Sequence, residues 1–282
     1  MSQPSKSVQR VRSIRLASPK KTLILEAEPD RNVYEVWLGQ LAPGLPSALS
    51  KVDLISLGGK NEVLNTLAWF RDSEDNPADL FGLVDRDEWD GATIASQIQD
   101  LPQLRINPNR HSLESYFCDP REIRPALESL MPGLNRGRLD SLVVEMRSAL
   151  AHRVDHWCLF TVTERVKNRM NEAQYPGVFH DQYVLPSDRE VRKRLRSWAS
   201  IVKSTDIFEE FDGLRSASRL RPESEQFRSC VWAKPFYEQV VYASASGLQS
   251  LRGTSYSTWM IDLATNMSVP TDLSGIFREF LE

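Results

Sequence analysis

Cysteine is scarce in this sequence, and no long apolar run occurs in it. The three cysteines, Cys118, Cys158 and Cys230, are odd in number and widely spaced, which fits neither a disulfide framework nor a zinc knuckle and favours a reducing compartment. No stretch of about 18 uninterrupted apolar residues is present, and no apolar run of signal-peptide length follows the basic N-terminus. These absences predict a cytoplasmic protein that is neither secreted nor membrane-spanning.

An excess of positive charge is also missing. The 282 residues contain 35 Lys and Arg against 38 Asp and Glu, a net charge of -3, whereas many nucleic-acid-binding proteins are strongly basic. The charge is nevertheless uneven, because residues 1–21 contain basic residues and no acidic ones, which leaves -9 for residues 22–282. Residues 1–20, rich in Ser and Gln, predict a flexible basic arm that is a candidate contact for RNA or for a partner protein.

Short apolar runs alternate with amphipathic segments over the first 120 residues. Strands are predicted at 21–27, 52–57, 80–84 and 104–106, with helices after the first three. This alternation predicts an α/β fold with a Rossmann-like parallel sheet flanked by helices, occupying residues 21–120. Beyond it, helical periodicity at 123–130, 138–152, 188–202 and 207–214 predicts a mainly α-helical C-terminal domain over 121–282, for substrate, dimer or partner contacts.

Acidic residues follow the predicted strands at the edge where parallel α/β sheets bind ligands. Glu26 ends the first strand, Asp30 lies one helical turn later, Asp85 and Asp87 end the third strand, and Glu114 follows the fourth. Carboxylate oxygens from several strand ends are the ligands that Mg2+ or Mn2+ prefers. Each acid alone is also typical of a solvated loop or, for Asp30, of a first helical turn that complements the helix dipole. Their joint placement favours a metal site.

Basic residues near these acids, or farther along the chain, are candidates for binding phosphates. Lys60 follows the Gly58-Gly59 turn and is interpreted either as a catalytic phosphate contact or as ordinary surface charge. The helix predicted at 188–202 has a basic face that is equally well interpreted as a nucleic-acid surface or as a solvated face balanced by nearby acids. Lys234, among aromatic residues typical of a core or dimer interface, is a further candidate. The predicted nucleic-acid-binding residues are Arg189, Arg192, Lys193, Arg196 and Lys234.

Four segments, in order, resemble the motifs of Toprim domains of the OLD (overcoming lysogenization defect) type. They are LILEAEPD at 23–30 with Tyr34 after it, LGGK at 57–60, FGLVDRD at 81–87 and SLESY at 112–116. Ala27 departs from the pattern, because many Toprim proteins have Gly there. The resemblance covers about residues 21–120 and implies a Toprim catalytic domain that is a metal-dependent nuclease.

The resemblance also implies roles for the acids. Asp85 and Asp87 would hold one Mg2+ or Mn2+ ion with Glu26, while Asp30 and Glu114 would hold or orient a second ion or its waters. Glu26 is alternatively a general base, and the sequence leaves both roles open.

Within this family, the chain resembles the AriB effector nucleases of PARIS anti-phage defence systems. The shared features are its size, a single Toprim domain without an ATPase of its own, and a helical C-terminal half. This resemblance implies a homodimer that cleaves host tRNA, with lysine tRNA expected. It further implies that an AriA-like ATPase sequesters the nuclease until a phage anti-restriction protein triggers its release.

Three other functions are compatible with the sequence. An OLD-like nuclease acting on DNA would use the same acids. A receiver or a haloacid-dehalogenase-like phosphatase also places Asp at strand ends, but the phosphatase pattern has Asp-x-Asp after the first strand, whereas here it follows the third. A non-catalytic binding module would use the acids structurally and would leave the metal site incomplete.

Overall fold

A computed structural model of the chain describes residues 4–42, 50–73, 77–87, 89–107, 109–132, 136–172, 189, 203–248 and 255–282. Four parallel strands form one sheet in the order β2-β1-β3-β4. They are β1 (Lys21–Leu25), β2 (Val52–Ser56), β3 (Leu80–Val84) and β4 (Leu104–Ile106). The four predicted strands and the α/β class are therefore confirmed. Leu25 pairs with Ser56 on one side and with Leu83 on the other, so the carboxyl ends of neighbouring strands lie side by side.

Helices connect consecutive strands, as the alternation predicts. They are α2 (Glu28–Leu41), α3 (Lys60–Arg71) and α4 (Gly91–Asp100). Pro29 lies in the first turn of α2, where its missing N–H leaves no hydrogen bond unmade. Gly58 and Gly59 have φ values of 92° and 150° between β2 and α3, a backbone conformation that side chains disfavour. The glycine turn is thus required to bring Lys60 back toward the sheet edge.

The segment expected to be a flexible arm contains a helix instead. Helix α1 (Lys6–Ala17) begins with Ser5, whose side-chain oxygen accepts a hydrogen bond from the Val8 N–H. Val8 and Val11 are buried in the same apolar cluster as α3 and the sheet. The prediction of a flexible arm is therefore wrong over these residues, because burial of two apolar side chains outweighs the polar composition that suggested disorder.

The sheet has an apolar layer on each face. Ile24 and Leu80 belong to the cluster that contains α1 and α3. On the other face, Phe81 packs against Phe280, with ring centroids 5.2 Å apart. Gly82 lies in β3, where an added Cβ would come within 2.8 Å of side-chain atoms of α3. The glycine therefore lets α3 approach the strand that carries the Asp-x-Asp pair.

The later part of the chain is helical, as predicted. It also contains a 3₁₀ helix (Leu113–Phe117) and a π-helical segment (Tyr237–Tyr242). The predicted helices at 123–130, 138–152 and 207–214 are confirmed, whereas 188–202 lies outside the described residues except for Arg189. The helices are α5 (Pro120–Leu130), α6 (Arg136–Glu172), α7 (Ser204–Arg219), α8 (Glu223–Ser229), α9 (Ala233–Phe236), α10 (Ala243–Leu248), α11 (Tyr256–Asn266) and α12 (Thr271–Leu281).

The chain divides into two compact units, and the division differs from the predicted boundary near 120. Unit 1 comprises residues 1–147 and 233–282, and unit 2 comprises 148–232. In unit 1, Tyr34 of α2 packs edge-on against Phe277 of α12, with centroids 5.4 Å apart, and Lys21 donates a hydrogen bond to the Glu279 carbonyl. The C-terminal helices therefore belong to the body of the sheet rather than to a separate C-terminal domain.

Unit 2 is formed by helices that pair through charged side chains. Asp155 of α6 accepts hydrogen bonds from both Arg215 and Arg219 of α7, and Glu210 pairs with Arg165. All three cysteines of the sequence are free, in agreement with their number and spacing, and all three are buried. Among the described residues, no helix combines the length and apolar character needed to cross a bilayer.

Candidate active site

Glu26 and Asp85 meet at the carboxyl ends of adjacent strands. Each is the first residue beyond its strand, β1 for Glu26 and β3 for Asp85. Oε1 of Glu26 accepts a hydrogen bond from the Asp85 N–H at 2.7 Å. The Glu26 carbonyl accepts another from the Gly58 N–H at 2.8 Å, which connects the turn after β2 to the same point. Three strand ends thus converge on Glu26.

Asp85 is held by a neighbour at the end of β4. Asn107 follows that strand directly, and its Nδ2 donates a hydrogen bond of 2.6 Å to Oδ1 of Asp85. The same Nδ2 lies 3.3 Å from the hydroxyl of Tyr34 in α2. Asn107 and Tyr34 are both buried, so this polar network lies inside unit 1.

Asp87 adopts an unusual backbone conformation and is held at three points. Its φ is 48°, in the left-handed region that costs a non-glycine residue about 1 kcal/mol or more. Its N–H donates to the His111 carbonyl at 2.8 Å, and its own carbonyl contacts Nδ1 of His111. Its carboxylate pairs with Nζ of Lys60 at 2.5 Å, and the same ammonium lies 4.4 Å from the centre of the Trp89 ring. The backbone strain at Asp87 is therefore offset by contacts with the loop that follows β4 and with α3.

Asp30 and Glu114 complete the acidic group from the flanking helices. Oδ2 of Asp30 accepts a hydrogen bond from the Ala27 N–H at 3.0 Å, which closes the first turn of α2. Asp30 therefore also has the structural role that is typical of an acid in the first turn of a helix. Glu114 lies in the 3₁₀ helix Leu113–Phe117, where Ser112 Oγ donates to its Oε2 at 2.7 Å.

A buried arginine holds the segment that carries Glu114. Arg110 donates to the Ser115 carbonyl at 2.9 Å and to Glu122 at 2.8 Å, and its Nε reaches Asp272 at 3.4 Å. Its guanidinium also lies 4.2 Å from the centre of the Tyr116 ring. Because these partners come from the 3₁₀ helix, α5 and α12, Arg110 connects the position of Glu114 to the helices of unit 1.

Burial and mutual repulsion change the ionisation of three of the acids. Burial raises the pKa of Asp30 to about 7, and the charges of Glu114 and Glu26 add to the effect. Burial also raises the pKa of Asp85 well above its ordinary value, with further contributions from Asp30 and Glu26. Burial raises the pKa of Glu26 too, although the Lys60 charge opposes it. A bound cation would relieve this penalty on ionisation.

The donor chemistry of the group fits a hard divalent cation, although the ligands are not already assembled. Carboxylate oxygens are the groups that Mg2+ and Mn2+ prefer. Among the described residues, however, no set of three or more Asp, Glu, His or Cys side chains is arranged to hold a metal ion. Instead, three of the carboxylates each accept a hydrogen bond from a different side chain. The pairs are Asp85 with Asn107, Asp87 with Lys60, and Glu114 with Ser112. Cation binding would therefore require some of these side chains to exchange partners.

The basic residues predicted to bind phosphates lie in different parts of the structure. Lys60 lies at the site, as expected, but its ammonium is paired with Asp87. Lys234 is exposed on α9, a helix of unit 1 whose Ala233 carbonyl accepts from the Cys118 thiol. Arg189 is exposed. Arg192, Lys193 and Arg196 lie outside the described residues.

Sequence reasoning missed Asn107 and Arg110. Asn107 directly follows a strand, which is the same position that identified Glu26 and Asp85. An acidic residue at a strand end is what indicates a metal site in the sequence, and this criterion does not identify a neutral donor at an equivalent position. Arg110 has no local signal, because its partners Glu122 and Asp272 are distant in sequence.

Comparison with protein-family models gives no match for this chain, and comparison with curated proteins gives none either.

Proposed function

We propose that the chain is a Toprim-type, metal-dependent phosphodiesterase, an endonuclease that cleaves tRNA. The observation that supports this proposal is the hydrogen bond between Glu26 and Asp85 at two adjacent strand ends. Asp30, Asp87 and Glu114 lie near enough to affect the ionisation of Asp85. Parallel α/β sheets bind ligands at this edge, and a concentration of acids there suits a site for divalent cations and phosphates.

In this proposal, Glu26, Asp85 and Asp87 hold Mg2+ or Mn2+, and Asp30 and Glu114 hold a second ion or orient its waters. When bound, such ions stabilise charge on the phosphate oxygens and lower the pKa of water. Lys60 exchanges Asp87 for a non-bridging phosphate oxygen of the substrate. Glu26, whose pKa is raised by burial, is alternatively the base that accepts a proton from the attacking water.

The biological proposal follows the resemblance to AriB effectors. The nuclease acts as a homodimer that an AriA-like ATPase sequesters until a phage anti-restriction protein releases it. It then cleaves host tRNA, with lysine tRNA expected, and thereby stops translation. Lys234 and the basic residues at 189–196 are proposed to contact the tRNA backbone.

Cleavage by the purified chain tests the proposal. Total tRNA and plasmid DNA are incubated separately with Mg2+ or Mn2+, and with a chelator. Wild-type protein should cleave tRNA only with the metal, and Glu26→Gln and Asp85→Asn should abolish cleavage. Glu28→Gln is the matched control, because Glu28 is two residues from Glu26 but exposed and paired with Arg31. Expression of wild-type protein should be toxic, and Glu26→Gln should relieve that toxicity.

Each alternative gives a different result. Cleavage of plasmid but not tRNA would identify a DNA nuclease. Full activity of both Glu26→Gln and Asp85→Asn would contradict the assigned site. Absence of Mn2+ binding by calorimetry, together with inactivity in the presence of the ATPase partner and its trigger, would identify a non-catalytic binding module.

A further inference from the structure

Asn107 connects the ends of β3 and β4 through both its backbone and its side chain. Its N–H donates to the Val84 carbonyl at 3.0 Å, which continues the pairing of the two strands. Its side chain has no exposed surface and donates to Asp85 at 2.6 Å. Because the backbone is fixed by the sheet, the amide has little freedom to move away from the carboxylate.

The kind of donor matters for a cation site. Among the described residues, Asp85 has no Lys or Arg partner, whereas Asp87 is paired with Lys60. An amide orients a carboxylate but has no positive charge of its own, so it does not compete with a cation for that ligand. An ammonium in the same position would compete with that cation.

Tyr34 is a second hydrogen-bond partner of the Asn107 amide. Its hydroxyl lies 3.3 Å from Asn107 Nδ2, and its ring is buried against Trp37 and Phe277. Oδ1 of Asn107 is buried and has no hydrogen-bond partner among the described residues. Turning the amide over would place Oδ1 against the Asp85 carboxylate, an acceptor facing an acceptor. The orientation with Nδ2 toward Asp85 is therefore the one that fits an ionised carboxylate.

We propose that Asn107 is a positioning residue that aims the Asp85 carboxylate at the bound cation, and that Tyr34 supports it. The inference rests on the proposed function, since it assumes that Asp85 is a metal ligand. Outer residues that orient ligands typically change metal affinity by about 10- to 100-fold when they are removed.

Mn2+ affinity, measured by calorimetry and by the electron paramagnetic resonance of the bound ion, tests the inference. Asn107→Leu should weaken Mn2+ binding about tenfold or more and alter the spectrum of the remaining bound ion. Tyr34→Phe keeps the buried ring and removes only the hydroxyl, so it should fold normally and weaken binding to a smaller extent. Asn266→Leu is the matched control, because Asn266 lies on α11 and bonds with Ser129.

A metal-free measurement separates this inference from the proposed function. The side-chain amide signal of Asn107 in nuclear magnetic resonance spectra, assigned by its loss in Asn107→Leu, should shift in Asp85→Asn and in Tyr34→Phe. Unchanged Mn2+ affinity in folded Asn107→Leu and Tyr34→Phe proteins would overturn the inference while leaving the metal site intact. An amide signal that does not respond to Asp85→Asn would also overturn it. If the signal shifts but wild-type protein binds no Mn2+, the proposed function fails instead.

Discussion

Lys60 is the residue whose contacts bear most directly on the charge of the site. Its ammonium pairs with Asp87 and lies over the Trp89 ring, and its charge opposes the rise in the pKa of Glu26. Only 14% of its side chain is exposed. In this structure, Lys60 therefore supplies part of the positive charge that a divalent cation would supply when bound.

Removing that charge should destabilise the protein in the absence of divalent ions. Lys60→Met keeps the length of the side chain and is expected to lower the free energy of unfolding by about 1 kcal/mol, since the Asp87 side chain is partly solvated. Saturating Mg2+ should recover most of the loss, because the ion then offsets the same carboxylates. Urea unfolding with and without Mg2+ measures both effects. Lys51→Met is the control, since Lys51 is exposed and bonds to the Leu281 carbonyl; equal losses in the two variants would contradict this role for Lys60.

The acids of the candidate site could be predicted from the sequence because they follow the ends of parallel strands. Glu26 and Asp85 were identified because the carboxyl ends of parallel strands meet, and the structure joins them by a hydrogen bond. The partners that hold the acids come from other parts of the chain. Lys60 pairs with Asp87, and Arg110 pairs with Asp272, through tertiary packing that a single sequence does not reveal.

At the scale of elements, the sheet was more predictable than the segments around it. Each strand is a short run of buried apolar residues between turn residues, a pattern that needs no tertiary information. Helix α1 was missed because its composition is polar and its buried face consists mainly of Val8 and Val11. Val8, Val11 and the partly buried Ile14, spaced three apart, form too narrow an apolar stripe for periodicity to reveal a helix.

The docking of α1 gives a prediction with a control in the same helix. Val11 is fully buried, whereas Leu16 is 82% exposed. Val11→Ala is expected to lower the free energy of unfolding by about 2 kcal/mol, because two methyl groups are removed and a cavity remains. Leu16→Ala should change it by less than about 0.5 kcal/mol. Chemical denaturation measures both, and similar small effects would indicate that α1 does not pack on the sheet.

At the scale of the whole molecule, unit 2 is one continuous segment, whereas unit 1 is formed from both ends of the chain. The composition of the sequence did not reveal this arrangement. The predicted boundary near 120 followed the change from alternating strands and helices to helices alone. Contacts such as Arg105 with Glu279 instead return α12 to the sheet, and such long-range pairing leaves no local signal.

Acid sensitivity of unit 2 follows from one carboxylate. Partial burial acts to raise the pKa of Asp155, but hydrogen bonds from Arg215 and Arg219 outweigh it and hold that pKa below its ordinary value. Because the pKa is lower in the folded state than in the unfolded state, these contacts stabilise unit 2 fully above the unfolded value of about 4. Their contribution is lost as the pH falls through the lower, folded value.

Asp155→Asn should therefore destabilise unit 2 at pH 7. The difference in the free energy of unfolding between this variant and wild type should shrink as the pH is lowered from 5 toward 3. Hydrogen exchange measured at pH 7 should increase in peptides from α6 and α7 that lie within 148–232. Peptides from the sheet of unit 1 should be unaffected if the two units open independently. Asp140→Asn is the control in unit 1, because Asp140 pairs with Arg124 on the surface. A difference in the free energy of unfolding that is constant from pH 7 to pH 3 would contradict the assigned ionisation of Asp155. Faster hydrogen exchange in β1 and β3 would show that the units open together.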